Sequence, residues 1–444
     1  MLTTAILWLS ASLLASGPGA EVEIEEVVAT CKPPNNGAGP LWCYGAPLIA
    51  RQGDVVFVSA METGEGVPPL SNTRWRLFRR DERGWKLLRQ PEGFRHREPC
   101  PLVGLGDGRL ALSVNPSTEP PGTQYGRCDP HLLVFDTRKV DEPAVAPRPA
   151  WPKGVHFTDH SYRGIAGDAA RGEVLLLNID ATTSLQHWAL GTADGAFSRT
   201  GAIAFPIRAC YPQVALRDHA AHVMAIGDIV EPDASWRAFK KQKTGRAWDY
   251  VFRRLFYTMT PDVARTDFAP PLEVDTVEAT AGHITNLDLR IDPDGTAHLL
   301  YLKTDLTPTL RDAFFPGRPI VTTLEHVEVK DGKVARRTTL ATGGEKARET
   351  PHYARFHVTE DGTLWVVEFI TGVRTDGSSF AEDRIFPIRR GHGESSAVSL
   401  ALKTPLSTFF TASERGGSWP SNTLDLFGTG GDGETLRYAR VRVR

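Results

Sequence analysis

The sequence has no surplus of either charge: 51 Lys and Arg stand against 53 Asp and Glu, a net charge of −2. That balance gives no electrostatic reason to expect nucleic acid or an anionic membrane as partner. Cysteine is scarce, five in 444 residues, and the spacings of Cys31, Cys43, Cys100, Cys128 and Cys210 match no zinc motif. Helical periodicity is also missing. The best helical candidate, residues 236–254, has scattered apolar spacing and reads as an insertion before the fifth of the repeats described below. Long apolar runs are absent after the N-terminus, where Ala5 to Ala15 followed by Ser16-Gly17-Pro18-Gly19-Ala20 has the apolar core and small-residue exit of an export signal. Residues 1–20 are therefore expected to be a signal peptide, and the mature chain to be secreted or periplasmic. In such a compartment Cys31 with Cys43, and Cys100 with Cys128, are candidate local disulfides.

What is abundant is turn chemistry. Forty-one Gly and 32 Pro fall between short apolar runs without a collagen-like period, as in turn-rich all-β proteins. One unit recurs: a polar or Pro-containing lead, a short apolar strand, a Gly or Asp-Gly turn, and a second strand. Its apolar centres are Leu48, Val103, Ile165, Val214, Leu287, Phe356 and Leu424, separated by 49 to 73 residues. That spacing suits a four-stranded blade with ordinary loops. Seven copies predict an all-β fold, a single seven-bladed β-propeller of four-stranded antiparallel blades over residues 21–444, with Glu21 to Val28 completing the last blade beside Leu436 to Val443. Residues 323–329 and 334–337 around Asp331-Gly332 read as a hairpin.

In a propeller the residues just before each innermost strand converge on one mouth of the channel. Repeat phase places there Trp42 and Tyr44, Arg97 and Glu98, His160, Tyr162 and Arg163, Arg208 and Tyr211, His283 and Asn286, His352, Tyr353 and Arg355, and Trp419 and Asn422. The acidic residues Asp180, Asp228, Asp305 and Glu368 are expected at the opposite mouth, where a hydrated divalent cation is conceivable, although no ligand spacing specifies a metal. No cofactor is expected.

The ring is rich in His, Tyr and Arg and poor in carboxylates. Glycoside hydrolysis usually requires two carboxyl groups across the scissile bond, whereas β-elimination from a uronate requires a group to neutralise the sugar carboxylate, a base and an acid. Arg208 suits the first role, and His160 and Tyr211 the other two, because imidazole titrates near neutrality and a phenol beside an Arg is lowered toward it. The remaining members, Tyr44, Arg97, Glu98, Tyr162, Arg163, His283, Asn286, His352, Tyr353 and Arg355, are candidate substrate contacts.

The chain resembles the BNR-repeat, sialidase-like propellers, with degenerate Asp-box turns at residues 80–85 and 192–197. Within that group Asp159-His160-Ser161, and Tyr211-Pro212-Gln213 opening the next blade, are similar to ulvan lyases and related seven-bladed polysaccharide lyases. The resemblance implies elimination on an acidic, uronate-containing polysaccharide, carried by His, Tyr and Arg. Two positions depart from it: Asn178-Ile179-Asp180 stands where a second His is expected, and Ala225 to Asp228 where a further Arg is expected. A glycoside hydrolase with Glu98 as acid, or a propeller that only binds glycan or protein, remains the alternative.

Overall fold

The computed structural model describes residues 19–43, 45–123, 125–139, 142–158, 160, 162–246, 249–388 and 397–444. The expected export segment up to residue 18, and Tyr44, Asp159 and Ser161, lie outside these residues. Seven antiparallel sheets follow one another along the chain and form a seven-bladed propeller. In the first six blades the innermost strand comes first in sequence: Ile49–Gln52, Leu102–Gly104, Gly164–Asp168, Ala209–Arg217, His283–Ile291 and Glu349–Val358. The hairpin of blade five is Val321–Lys330 with Lys333–Gly344, turned by Asp331 and Gly332 at φ 49° and 71°, the paired positive values of a tight hairpin turn.

Blade two has three strands. Its fourth is reduced to one bridge, Val134 to Val145. Pro143, Pro147 and Pro149 flank that bridge, and a residue without an N–H cannot continue a ladder. Blade seven closes the ring. Ala20–Thr30 pairs with Thr435–Val443, so the two ends of the chain share one sheet as the sequence suggested. The order within that blade corrects one expectation, since its innermost strand is Thr408–Thr411 and the strand containing Leu424, Thr423–Thr429, is second. Trp419 and Asn422 therefore sit on the loop between first and second strands, at the other end of the channel from the other residues of the predicted ring.

Neighbouring blades bury their facing side chains against one another. Leu48, Ile49, Val103, Ile165, Phe410 and Phe427 belong to one apolar cluster that spans blades one, two, three and seven. Leu287, Leu324, Phe356, Trp365 and Leu424 belong to another that joins blades five to seven. At about 25 cal/mol per Å² of apolar surface removed from water, these inter-blade layers dominate the stability of the ring.

Two helices interrupt this pattern. Helix α1, Ala234–Thr244, leaves blade four between its second and third strands and stands on a short stem, Ile229–Val230 paired with Tyr250–Val251. The segment expected before blade five is thus an excursion from within blade four. Asp233 caps α1 by accepting from the backbone N–H of Ser235 and Trp236, both at 2.9 Å, and Gly245 ends it at φ 70°. Helix α2, Pro308–Phe314, leaves blade five at the equivalent place.

The channel is plugged by residues 413–418 of blade seven. The backbone N–H of Gly104 donates to Gly416 O at 2.8 Å, that of Gly167 donates to Arg415 O at 2.8 Å, and that of Arg51 donates to Ser418 Oγ at 3.0 Å. Glu414 accepts from Arg217 at 2.9 Å and from Arg290 at 2.8 Å. Arg415, 5% exposed, donates to Asp288 at 2.8 Å and reaches the carbonyl of Gly45. One short loop thereby contacts blades one to five. Gly417, at φ 75°, lies against Gly104 so closely that a Cβ would overlap its carbonyl.

The expected disulfides are not formed. All five cysteines are free and buried, each among its own contacts: Cys43 donates to Ala46 O, Cys128 donates to Thr158 O, and Cys100 faces His96. Burial raises the thiols of Cys31 and Cys100 to about 11 and that of Cys43 to about 12. Native protein should therefore resist a thiol reagent at neutral pH, and protein denatured without reductant should titrate five thiols; three or fewer would mean that a disulfide forms. For the plug, Arg415→Met strips Asp288 of its buried partner and should cost about 3–5 kcal/mol in a urea unfolding experiment. Gly417→Ala should cost more than about 1 kcal/mol in the same experiment.

Candidate functional site

Each innermost strand of blades one to six departs from the same mouth, here the front mouth. Antiparallel pairing brings the end of each second strand back to it: Ala209 pairs with Gly227, and His283 with Thr304. Asp180, Asp228 and Asp305, which directly follow second strands, therefore lie at the front mouth, and the expectation that they face the opposite mouth is corrected. Glu368 sits within a strand of blade six, opposite Ala354. Three innermost strands carry a bulge near their start, between Cys210 and Gln213, Asn286 and Asp288, and Pro351 and Tyr353. Such bulges re-aim side chains at a rim.

The leads of blades two, three and four meet. The carboxylate of Glu98, which is 4% exposed, lies 2.6 Å from Nδ1 of His160. A proton on Nδ1 directed at Glu98 leaves Nε2 as the basic nitrogen of the ring. The His160 ring packs on Tyr162, with centroids 3.9 Å apart, and Tyr162 meets Tyr211 edge-on at 4.7 Å. Both tyrosines have left-handed backbone, φ 42° and 51°, a conformation that bulky residues adopt only where their surroundings enforce it. Arg208 lies over the Tyr162 ring at 4.9 Å and over Tyr250 at 5.6 Å, and donates to Asp228 at 2.6 Å.

Burial, reinforced by Asp228 and Cys210, raises the Tyr162 hydroxyl well above its ordinary value despite Arg208. Tyr162 therefore stays protonated at any physiological pH. Burial and Asp228 likewise push the Cys210 thiol up. Arg208, 28% exposed along its side chain, remains a permanent cation at the mouth.

The other ring residues divide. Tyr211 continues through Phe252, at 5.9 Å, to His283, a further 5.6 Å on, so His283 borders the same aromatic wall, and Trp42 meets Tyr211 at 6.3 Å. His352 instead contacts Thr371 and Phe369 of its own blade. Arg97 donates to Asn36 O at 3.1 Å. Arg163, Asn286, Tyr353 and Arg355 are buried clamps between blades. Arg163 donates to Ser113 O at 3.1 Å and to Pro99 O at 2.7 Å, and Asn286 donates to Tyr211 O at 2.7 Å. Arg355 donates to Phe409 O at 3.2 Å and to the hydroxyl of Tyr353 at 2.5 Å. Their polar groups join strands. Asp228, Tyr250, Phe252 and Arg253 are neighbours that repeat phase missed, because all four belong to the excursion of blade four or its stem.

At the rear mouth, above the plug, lies a cavity of about 520 Å³ lined by Arg217, Arg290, Glu414 and the 61% exposed Trp419 among others. Its charged walls are mutually paired. His298, His326 and Glu328 of blade five lie within reach of one cation. The two rings are coplanar and meet nitrogen to nitrogen at 2.9 Å, however, and the other nitrogen of His298 faces Asp292 at 2.9 Å. That arrangement is an Asp-His-His hydrogen-bond chain in which three of the four imidazole nitrogens are already engaged.

No known family profile matches the chain, and no curated protein matches it in sequence. Solved structures share its architecture. A polysaccharide lyase is 11% identical with a TM-score of 0.45, covering 89% of this chain and 90% of its own. An α-L-arabinanase of Penicillium chrysogenum, complexed with arabinobiose, is 10% identical with a TM-score of 0.42, covering 95% and 98%. A puromycin-hydrolysing peptidase of Mycobacterium tuberculosis is 13% identical with a TM-score of 0.47, covering 92% of this chain and 55% of its own. Their three chemistries differ.

Proposed function

We propose that the front mouth is the active site of a glycan-cleaving enzyme, and that its reaction is β-elimination on a uronate-containing, acidic polysaccharide. The observation that carries this reading is the buried Glu98 held against His160 beside a permanent cation and two phenols. A carboxylate oriented on Nδ1 fixes the tautomer and stabilises the imidazolium that forms when Nε2 takes a proton. Arg208 would hold the uronate carboxylate and so acidify the neighbouring C–H. His160 would remove that proton, the electron pair would form the carbon–carbon double bond, and the bond to the glycosidic oxygen would break. Tyr211, half-buried where Tyr162 is buried, would supply the proton that the leaving oxygen takes up. A phenol suits delivery to an alkoxide, which is far more basic.

The protein incubated with a panel of uronans should produce an unsaturated sugar that absorbs in the ultraviolet. New reducing ends without that absorbance would replace elimination by hydrolysis. His160→Ala should lower kcat by roughly 100- to 10,000-fold. Glu98→Gln should lower kcat less and shift the acidic limb of the pH–rate profile; an unshifted limb would remove Glu98 from its positioning role.

A further inference from the structure

Helix α1 holds the largest departure from the charge balance of this chain. Residues 234–246 contain Arg237, Lys240, Lys241, Lys243 and Arg246 and no acid. Lys240 is engaged, donating to Glu231 at 2.8 Å and to Asp249 at 2.9 Å. The other four are exposed, and among the described residues none of them takes a carboxylate partner, although arginines elsewhere on this surface are widely paired. Folding does not explain them. No residue of α1 is buried, so these side chains cover no core. The helix dipole accounts for Lys241 and Lys243 in the last turn, but it disfavours Arg237 in the first. Arg237 and Lys241 are also four apart, where like charges repel.

The helix is nevertheless mounted firmly. Glu231, 1% exposed, holds Arg253 through both oxygens, at 2.8 and 2.5 Å. Arg253 in turn covers Trp236 at 5.1 Å, and Trp236 and Phe239 pack on Phe314 of α2 at 6.4 and 5.3 Å. The stem below the helix is part of the front mouth, because Tyr250 lies under Arg208 and Phe252 touches Tyr211 and His283. Four cations without a carboxylate partner are thus fixed beside the mouth, three on a helix about 16 Å long and Arg246 just past its end, with Lys243 also lying over the Phe239 ring at 5.5 Å.

We propose that α1 is a docking arm for a linear acidic polysaccharide, with Arg237, Lys241, Lys243 and Arg246 pairing with carboxylates or sulfates of the chain beyond the residue held in the mouth. This rests on the front mouth handling an acidic glycan. It assigns to α1 the affinity for long chains and to the mouth the affinity for a single unit. Contacts of this kind act through screened charge and are salt-dependent.

The test compares wild type with Arg237→Gln/Lys241→Gln/Lys243→Gln/Arg246→Gln, and with Lys241→Gln alone, by calorimetric titration at low and physiological salt. Probes are polygalacturonate, chondroitin sulfate, a uronate trisaccharide, a DNA duplex and phosphatidylserine vesicles. The fourfold variant should bind one or both polysaccharides on the order of ten-fold more weakly at low salt, with a shallower salt dependence and unchanged trisaccharide affinity. Preference for polygalacturonate assigns carboxylates, and preference for chondroitin sulfate assigns sulfates. Equal affinity of wild type and variant for both polysaccharides overturns the arm. Stronger arm-dependent binding to DNA or vesicles overturns the glycan. Arm-dependent polysaccharide binding without turnover of any uronan would leave the arm standing and sink only the elimination reaction.

Discussion

The ring depends on how its axis is filled. Seven sheets that converge on a common axis present their innermost backbones to a narrow space, and unpaired polar groups there would be costly. Residues 413–418 occupy that space. Arg415 lies between Asp288 and Gly45, while Gly416 and the carbonyl of Arg415 satisfy N–H groups of blades two and three. Arg163 and Arg355 perform the same service between other neighbouring blades. A guanidinium suits this work because one planar group presents five donors in fixed directions. The polar satisfaction of the axis is therefore concentrated in a few buried cations bonded mainly to carbonyls, and the buried pair of Arg415 with Asp288 is the one that links distant blades.

The same demand determines which polar residues near the axis remain available for chemistry. Arg163 and Arg355 came out of the same sequence pattern as Arg208, a basic residue close to the start of an innermost strand. They differ in depth. The two clamps are 3% and 1% exposed and bond to carbonyls of neighbouring blades, whereas the Arg208 side chain is 28% exposed and stays at the rim. There it is held by aromatic faces and by Asp228. The left-handed backbones of Tyr162 and Tyr211 belong to that rim, where mutual ring packing with His160, Trp42 and Phe252 offsets their strain.

Much of this was legible before any coordinates. The repeating lead, strand and turn carry the architecture, the innermost strands of six blades and the closure of the last blade by residues 21–28, because strand period and turn residues are local properties. Blade seven was misphased for a physical reason. The loop after its innermost strand, Thr408–Thr411, is enlarged to form the plug and carries Trp419 and Asn422, which imitate a polar lead. Asp228 was assigned to the wrong mouth because its position depends on the antiparallel return of a second strand. The basic helix escaped notice because total charge sums to nearly zero, and a sum over 444 residues hides a window of thirteen. Contacts such as Glu98 with His160, 62 residues apart, depend on blade packing that repeat phase brings near but does not specify.

The plug and the excursion of blade four together constrain how a polymer could use the front mouth. With residues 413–418 across the axis, a chain cannot thread from one mouth to the other; it must lie over the rim. Of the seven blades, four and five extend helices from their second-to-third strand loops, and these pack on each other on one side of the rim. A polymer lying across His160 and Arg208 would meet a raised wall there, on which Arg237, Lys241 and Lys243 of α1 stand exposed. At the opposite mouth the corresponding cations are paired, Arg217 with Glu414 and Arg290 with Glu414 and Asp292. The asymmetry between the mouths follows from one loop of blade seven and one excursion of blade four, each built on an otherwise repetitive ring.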